Sequence, residues 1–324
     1  MTWTHQAIEE IRTQAGKTVL LFITDRCPVG CAHCSVDSRS DSPCITNGPL
    51  FDTLLNTVCN MPSIEVVGIS GGEPFVERKG LSVAVEQITQ AGKDVVIYTS
   101  GVWAKQGNPP PWVNGILQKT ATVVLSTDAF HQQHVSPAQW MHAAKTAAEC
   151  GCWLIVQTLD TGAAQALLEE AFGPEFTEYA EVVPLHPLRN GRGQQVFAAP
   201  IKQHYTHFMP CKLAHTPVIR YDGRTSACCN EDVVMNQGPA RFRSQASTSA
   251  ELTDQWAAWQ LDPLLSSLRN TGFDALMHHP KLKDLQDKKF GNACDLCWTI
   301  AERFSDPGED DLLLKAIAQL ELNP

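Results

Sequence analysis

The chain has no apolar run approaching the ~20 residues that span a bilayer. Its opening stretch, Met1 to Lys17, lacks the charged-then-apolar order of a signal peptide. Basic charge is scarce: 25 Lys and Arg face 35 Asp and Glu over 324 residues, a net charge of −10. Non-specific binding of nucleic acid or of anionic membrane needs clustered cations, so this balance argues against both. Stretches of low hydrophobicity are also few, with 43% of residues apolar. That excludes a disordered chain and is enough to bury one large core or two modest ones. Together these absences predict a soluble cytoplasmic protein. A reducing cytoplasm leaves disulfides little chance to persist, so the twelve cysteines ask for another use, and metal is the first candidate.

The cysteines are grouped. Cys27, Cys31 and Cys34 fall within eight residues, Cys211 and the pair Cys228 and Cys229 lie two-thirds along, and Cys294 and Cys297 form a CxxC late in the chain. Cys44, Cys59, Cys150 and Cys152 stand apart. For Cys59, Cys150 and Cys152 the expectation is inert packing, because a buried cysteine behaves as a small hydrophobe.

From Thr18 to His186 one unit recurs: a β-branched apolar run, a loop, then a helical pattern. The runs are Val19–Thr24, Ile64–Ser70, Asp94–Ser100, Thr122–Asp128, Trp153–Leu159 and Glu181–His186. Ser136-Pro137 reads as N-cap and first turn of a helix over Ala138–Cys150 stopped by Gly151. Glu77–Gln90 ends at Gly92 and Ala163–Phe172 at Gly173-Pro174. Apolar strands alternating with helices predict an α/β fold with a parallel sheet. Six units suit a partial (β/α)6 TIM-like barrel, since a complete one needs eight. A doubly wound open sheet would produce the same string. After Pro187 the pattern changes to a Gly and Arg loop, Leu188–Gln194, then a strand and tight turn over Val218–Gly223, a polar stretch over Val234–Thr248, and helices over Ala250–Arg269 and Asp310–Leu322. This predicts a barrel domain of residues 1–195 and a small C-terminal α+β domain of residues 196–324.

Cys27-Pro-Val-Gly-Cys31-Ala-His-Cys34 follows the first strand, placing three thiols at a strand's C-terminal end, where α/β proteins build their sites. A cubane iron–sulfur cluster normally takes four thiolates, so three leave one iron open to another ligand. A zinc site completed by His33 or Cys44 is the competing reading.

These residues resemble the signature of the radical S-adenosylmethionine (SAM) superfamily, in which three cysteines hold a [4Fe-4S] cluster and SAM chelates the fourth iron. Gly71-Gly72-Glu73-Pro74, after the second strand, resembles the family's GGEP element. The resemblance implies a cofactor-binding role for all four, with glycines admitting backbone close to the ligand and the Glu73 carboxylate meeting the SAM ammonium. Ser100, in Thr99-Ser100-Gly101, and Ser126 and Asp128 end the third and fourth strands where relatives contact SAM. Arg189 and Arg192 lie in a loop resembling the family's Gly-Arg turn, and Arg192 is a candidate for the SAM carboxylate. By the same resemblance, one-electron cleavage of SAM yields a 5′-deoxyadenosyl radical that abstracts a substrate hydrogen atom.

The Cys-x11-Gly-x4-Cys spacing from Cys211 to Cys228, with Gly223 between, resembles the opening of the family's SPASM and Twitch extensions. No cysteine follows Cys297, so the resemblance implies one auxiliary [4Fe-4S] cluster on Cys211, Cys228, Cys294 and Cys297, two clusters in all. A zinc ribbon held by the same four cysteines is the alternative. Cys229 could replace Cys228 as ligand, donate a hydrogen atom as the spare cysteine of radical SAM epimerases does, or pack on the opposite face. His131 and His134 are candidate proton acceptors or an exposed helix start.

A fully ligated auxiliary cluster suits electron transfer, with a flavodoxin- or ferredoxin-type donor. The expected function is therefore oxidation or epimerisation of a small metabolite such as a sugar, aminocyclitol or nucleoside. A maturase acting on a ribosomally made peptide is the alternative, with too few residues before Thr18 for the extra peptide-binding domain many maturases carry. A zinc-stabilised binding module is a reading of a different class.

Overall fold

The computed structural model describes residues 2–105, 109–305 and 311–320. Helix α1 (His5–Arg12) precedes β1 (Thr18–Phe22) and α2 (Gly48–Asn60), β2 (Val66–Ser70) and α3 (Arg78–Gln90), β3 (Asp94–Thr99) and α4 (Pro111–Leu117). The pattern continues through β4 (Thr122–Ser126) and α5 (Pro137–Glu149), β5 (Trp153–Thr158) and α6 (Thr161–Phe172), and closes on β6 (Ala180–Pro184). Each strand begins within two residues of its expected start. Local end signals account for the helices. Ser136 caps α5 by accepting from the Gln139 N–H with Pro137 in the first turn, and Asp160 caps α6 two residues earlier than expected by accepting from Ala163.

Strands β1 to β6 lie side by side in sequence order, all parallel. A doubly wound sheet would reverse its order partway; this one does not, and it is the partial barrel. Its two faces bury different things. Outward residues such as Val67, Ile69, Ile97, Val123 and Val156 pack with Leu55, Leu81, Ile88 and Trp140 of the surrounding helices in one core. Each of these fully buried side chains contributes roughly 1.5–3 kcal/mol. Inward residues Val66, Val96, Val124 and Ile155 form a layer with Ile8 and Ile11, so α1 plugs the barrel's N-terminal end.

The later chain runs through α7 (Gly193–Val196), β7 (Gln203–His204), β8 (Val218–Arg220), β9 (Arg224–Ser226), α8 (Glu231–Val234) and β10 (Arg243–Gln245). It ends with α9 (Ser249–Leu261), α10 (Pro263–Asn270), α11 (Gly272–Met277), β11 (Lys289–Phe290), α12 (Ala293–Arg303) and α13 (Leu312–Ala318). The expected strand and turn at Val218–Gly223 are there, and β8 also pairs in parallel with β1, Leu20 opposite Val218, so that β8, β9 and β10 extend the barrel sheet to nine strands. The helices expected over Ala250–Arg269 are α9 and α10, divided where Asp262 caps α10 and Pro263 occupies its first position, since a proline ends the preceding helix. Asp311 caps α13; the remainder of the expected Asp310–Leu322 helix at 310, 321 and 322 lies outside the described residues. A second core gathers Phe242, Leu264, Leu268, Phe273, Met277, Leu296 and Ile300. Among the described residues no helix is long and apolar enough to cross a membrane.

Candidate functional site

The loop after β1 carries Cys27, Cys31 and Cys34, and its path is set by three anchors. Gly71 and Gly72 cross beneath it so closely that a Cβ on either would come within 2.5 and 2.4 Å of the Thr24 and Arg26 carbonyl oxygens. The Gly72 and Glu73 N–H groups donate to those same oxygens at 2.7 and 2.9 Å. The two glycines thus serve the approach of chain to chain. Second, Arg192 from the loop after β6 donates to the Cys31 carbonyl through Nε (3.0 Å) and Nη2 (2.7 Å) and to Asp37 and the Ser38 carbonyl through Nη1. Third, Asp25, two residues before Cys27, takes both oxygens to Nη2 of Arg220 on β8 at 2.9 and 2.7 Å, and accepts from the Tyr221 hydroxyl at 2.8 Å. Arg220 is 1% exposed and also lies over the Phe22 ring. A buried ion pair of this kind costs about 3–5 kcal/mol to break from one side.

All three thiols border one cavity of about 300 Å³, together with Gly71, Gly72, Ser100, Ser126, His131 and Arg192. Burial, followed by the charge of Glu73, pushes the Cys27 thiol up to about 11. Burial and then the neighbouring Cys27 and Cys34 push Cys31 up to about 12. Three thiols in one shared space, with Cys27 and Cys31 both raised, are a donor set that a cation would relieve. Glu73 and Pro74 lie behind the cavity wall. The Glu73 carboxylate is fully buried and accepts from Thr99 Oγ1 (2.8 Å), Ser100 N (2.9 Å) and Ser100 Oγ (2.6 Å); burial raises its pKa against those bonds. With these bonds Glu73 holds the end of β3 in place.

Asp128 is also behind the wall. Burial alone would raise its pKa, but the rings of His131 and His33, with nitrogens 3.0 and 3.1 Å from its Oδ2, hold the carboxyl well below its ordinary range. The backbone N–H groups of Phe130 and His131 add two more bonds, and His33 stacks on Phe130 with centroids 4.6 Å apart. This trio joins the β4 end to the middle of the cysteine loop, a link that sequence reading missed because His33 and His131 are far apart in the chain. His134 and Arg189 are exposed, and Cys44 does not border the cavity. Cys59, Cys150 and Cys152 pack against the barrel core.

Below this space, inside the barrel, lies a second cavity of about 390 Å³. Ser70, Gly71, Tyr98, Gln157 and Glu231 border both, so the two are contiguous. Cys229 lines the inner one, where Arg12 Nη2 lies 3.6 Å from its sulfur. Burial pushes its thiol up to about 11 against the nearby Arg12, so it carries its proton at neutral pH.

Cys211, Cys228, Cys294 and Cys297 border a third cavity of about 280 Å³, otherwise lined largely by apolar side chains such as Phe208, Leu265, Leu268 and Trp298. Burial, then Cys211, Cys228 and Cys294, raises the Cys297 thiol far above its ordinary value. Asn230 Nδ2 donates to the Cys294 sulfur at 3.4 Å while its Oδ1 caps α8. Residues 228–231 therefore alternate: Cys228 and Asn230 face the four-thiol cavity, Cys229 and Glu231 face the barrel interior. Among the described residues, His33, Asp128 and His131 form the trio of ligand atoms lying within 4.8 Å of one another; neither cysteine group draws three sulfurs that close. Ligands of one tetrahedral zinc, at about 2.3 Å each, would sit ~3.8 Å apart.

The architecture is that of the radical SAM fold, and the resemblance drawn from Cys27–Cys34 and Gly71–Pro74 agrees with it. Among solved structures the chain is similar to Streptococcus suis SuiB bound to S-adenosylmethionine (TM-score 0.52, 13% identity, covering 79% of this chain and 68% of SuiB). It is equally similar to SuiB bound to its precursor peptide SuiA (TM-score 0.51, 14% identity, 79% and 67%). In sequence it is 28% identical over 87 residues to YydG of Bacillus subtilis (strain 168), whose given name places it in peptide biosynthesis. That stretch is 27% of this chain and spans only 27% of YydG. No model of a known protein family matches the chain.

Proposed function

We propose that the protein is a radical SAM enzyme with two cysteine-held [4Fe-4S] clusters, and that it inverts or oxidises a substrate carbon. Cys27, Cys31 and Cys34 would hold the first cluster, and Cys211, Cys228, Cys294 and Cys297 the auxiliary one. The wide spread of the thiols supports clusters over single zinc ions at both places. When bound, the front cluster and SAM supply a one-electron cleavage of the sulfonium and so a carbon radical able to take a hydrogen atom.

The chain's residues do the rest. Ser100, Ser126 and the Gly71-Gly72 backbone border the space open to SAM, Glu73 and Asp128 keep its walls in place, and Arg192 clamps the loop. The observation that carries the reading is the contiguity of the two cavities, with Cys229 in the inner one and its neighbour Cys228 in the four-thiol site. A protonated thiol there can break its S–H bond and give the hydrogen atom to a substrate radical. An electron and a proton then restore it, the electron coming from a flavodoxin- or ferredoxin-type donor by way of the auxiliary site. Epimerisation is thus the first reading. Oxidation, with the substrate radical losing its electron toward Cys228, is the second. The division at residues 195 and 196 remains our proposal for where the auxiliary-cluster part begins.

Anaerobic reconstitution tests this. The expected result is about eight irons per chain, from two four-iron cubes, and 5′-deoxyadenosine under dithionite. Stoichiometric zinc without iron would overturn it.

A further inference from the structure

The inner cavity is graded in polarity. Its floor and sides are apolar, formed by Ile8, Leu20, Phe22, Val96, Leu213 and Val234. Where it meets the thiol cavity, Val36 and Leu185 are joined by the polar Ser70, Tyr98, Gln157 and Glu231. Arg12 borders it too, but its guanidinium is taken by Glu9, Thr216 and the Lys212 carbonyl. Glu231 is different. It opens α8, and among the described residues no side-chain donor meets its carboxylate; burial raises its pKa against the help of its own backbone N–H. The half-buried carboxylate thus borders both cavities with no partner beyond its own backbone N–H, and is placed to accept from a ligand.

We propose that the inner cavity is the substrate site, that it takes an aliphatic residue of a peptide, and that Glu231 accepts a hydrogen bond from that residue's backbone N–H. The proposal rests on the radical SAM reading above and names its substrate. An aliphatic side chain satisfies the apolar floor, and its flanking amides meet the polar ring of Tyr98, Gln157 and Ser70. A sugar or aminocyclitol would turn hydroxyls against Leu20, Phe22 and Val234 with nothing to bond them. A free amino acid would bring its own carboxylate toward Glu231, a like-charge contact that a peptide bond removes. Cys229 lies two residues from Glu231 on the same face, so a residue held by its N–H presents its α-carbon toward that thiol. The volume, about 390 Å³, lies within the range of ligand cavities. The peptide in the SuiB–SuiA structure and the name of YydG agree with this substrate class.

The test is anaerobic calorimetry of the reconstituted protein with SAM present, using acetyl-Gly-Val-Gly-amide, acetyl-Gly-Asp-Gly-amide, free valine and myo-inositol as probes. The valine tripeptide is expected to bind at least about tenfold tighter than the other three, through apolar burial and one charge-assisted bond. Glu231→Gln should weaken it about fivefold, and Val234→Phe, which fills the floor, should remove it, each variant keeping its iron content. Equal or tighter binding of inositol or valine, no effect of Glu231→Gln, or no heat from the valine tripeptide overturns the proposal. The 5′-deoxyadenosine yield of the unsubstituted protein separates the two readings. Cleavage without tripeptide binding sinks this inference alone, and Glu231-dependent binding without cleavage sinks the enzymatic reading and leaves a peptide-binding site.

Discussion

The two cysteine groups solve different problems. The front one takes three thiols from a single loop and opens onto a polar space that continues into the barrel. The rear one takes four thiols from two segments, Cys211–Cys228 and Cys294–Cys297, and lies among Phe208, Leu268 and Trp298. The three-thiol group sits beside a space for ligands, and the four-thiol group sits among mostly apolar side chains. The loop that supplies the three-thiol group also needs outside help to hold its shape. Arg192, Arg220 and the Asp128 trio provide it from three different parts of the chain, whereas α12 itself fixes Cys294 and Cys297 one helical turn apart.

Five changes would break or sharpen that contrast. Cys31→Ala should abolish SAM cleavage and remove roughly half the iron, one cube of two; assaying 5′-deoxyadenosine and iron on one sample checks both. Cys297→Ala should remove the same half yet leave some cleavage, and a total loss in this variant would show the two sites are not separate in task. Arg220→Leu strands Asp25 beneath the front loop and should lower stability in a urea melt by about 3–5 kcal/mol. His215, on the segment joining Cys211 to β8, is pushed down to about 4 by burial and then by the charges of Arg269 and Arg12. The unfolded chain therefore binds its proton first. Stability should be constant above about pH 6.5 and fall by on the order of 2 kcal/mol toward pH 4, a slope that His215→Gln would flatten. The smallest effect is expected from Asn230→Asp, which keeps the cap on α8 but removes the donor to the Cys294 sulfur. Redox titration followed by paramagnetic resonance should show the rear signal moving to more negative potential and the front signal staying put.

The six barrel strands were legible because each is a β-branched run, and several are followed by a helix with its own end signals, such as Ser136-Pro137 and Gly151. The pairing of β8 with β1 was not. Three residues two hundred positions away carry no local mark of their partner, and only the buried Arg220–Asp25 contact reveals the join in retrospect. The break at Pro263 was readable, since Asp262-Pro263 is a helix-start signal that the apolar periodicity on either side masked. In the site, the short motifs fall at strand ends that border the three-thiol cavity, but spacing says nothing of direction. Glu73 and Asp128 turn away from the open space into bonds with Ser100, Thr99, His33 and His131. The trio around Asp128 and the lone carboxylate of Glu231 needed the fold, though the alternation from Cys228 to Glu231 is a period-2 pattern that a strand-end reading could have flagged.

That alternation carries an arithmetical constraint. Adding or deleting a single residue between β9 and α8 would exchange the occupants of the two faces, sending Cys229 and Glu231 to the four-thiol side and Cys228 and Asn230 to the barrel side. A change of two would restore the assignment. Length variation in this strand-to-helix connection is thus governed by parity, and an odd change would disturb both compartments at one stroke while leaving every cysteine in the chain.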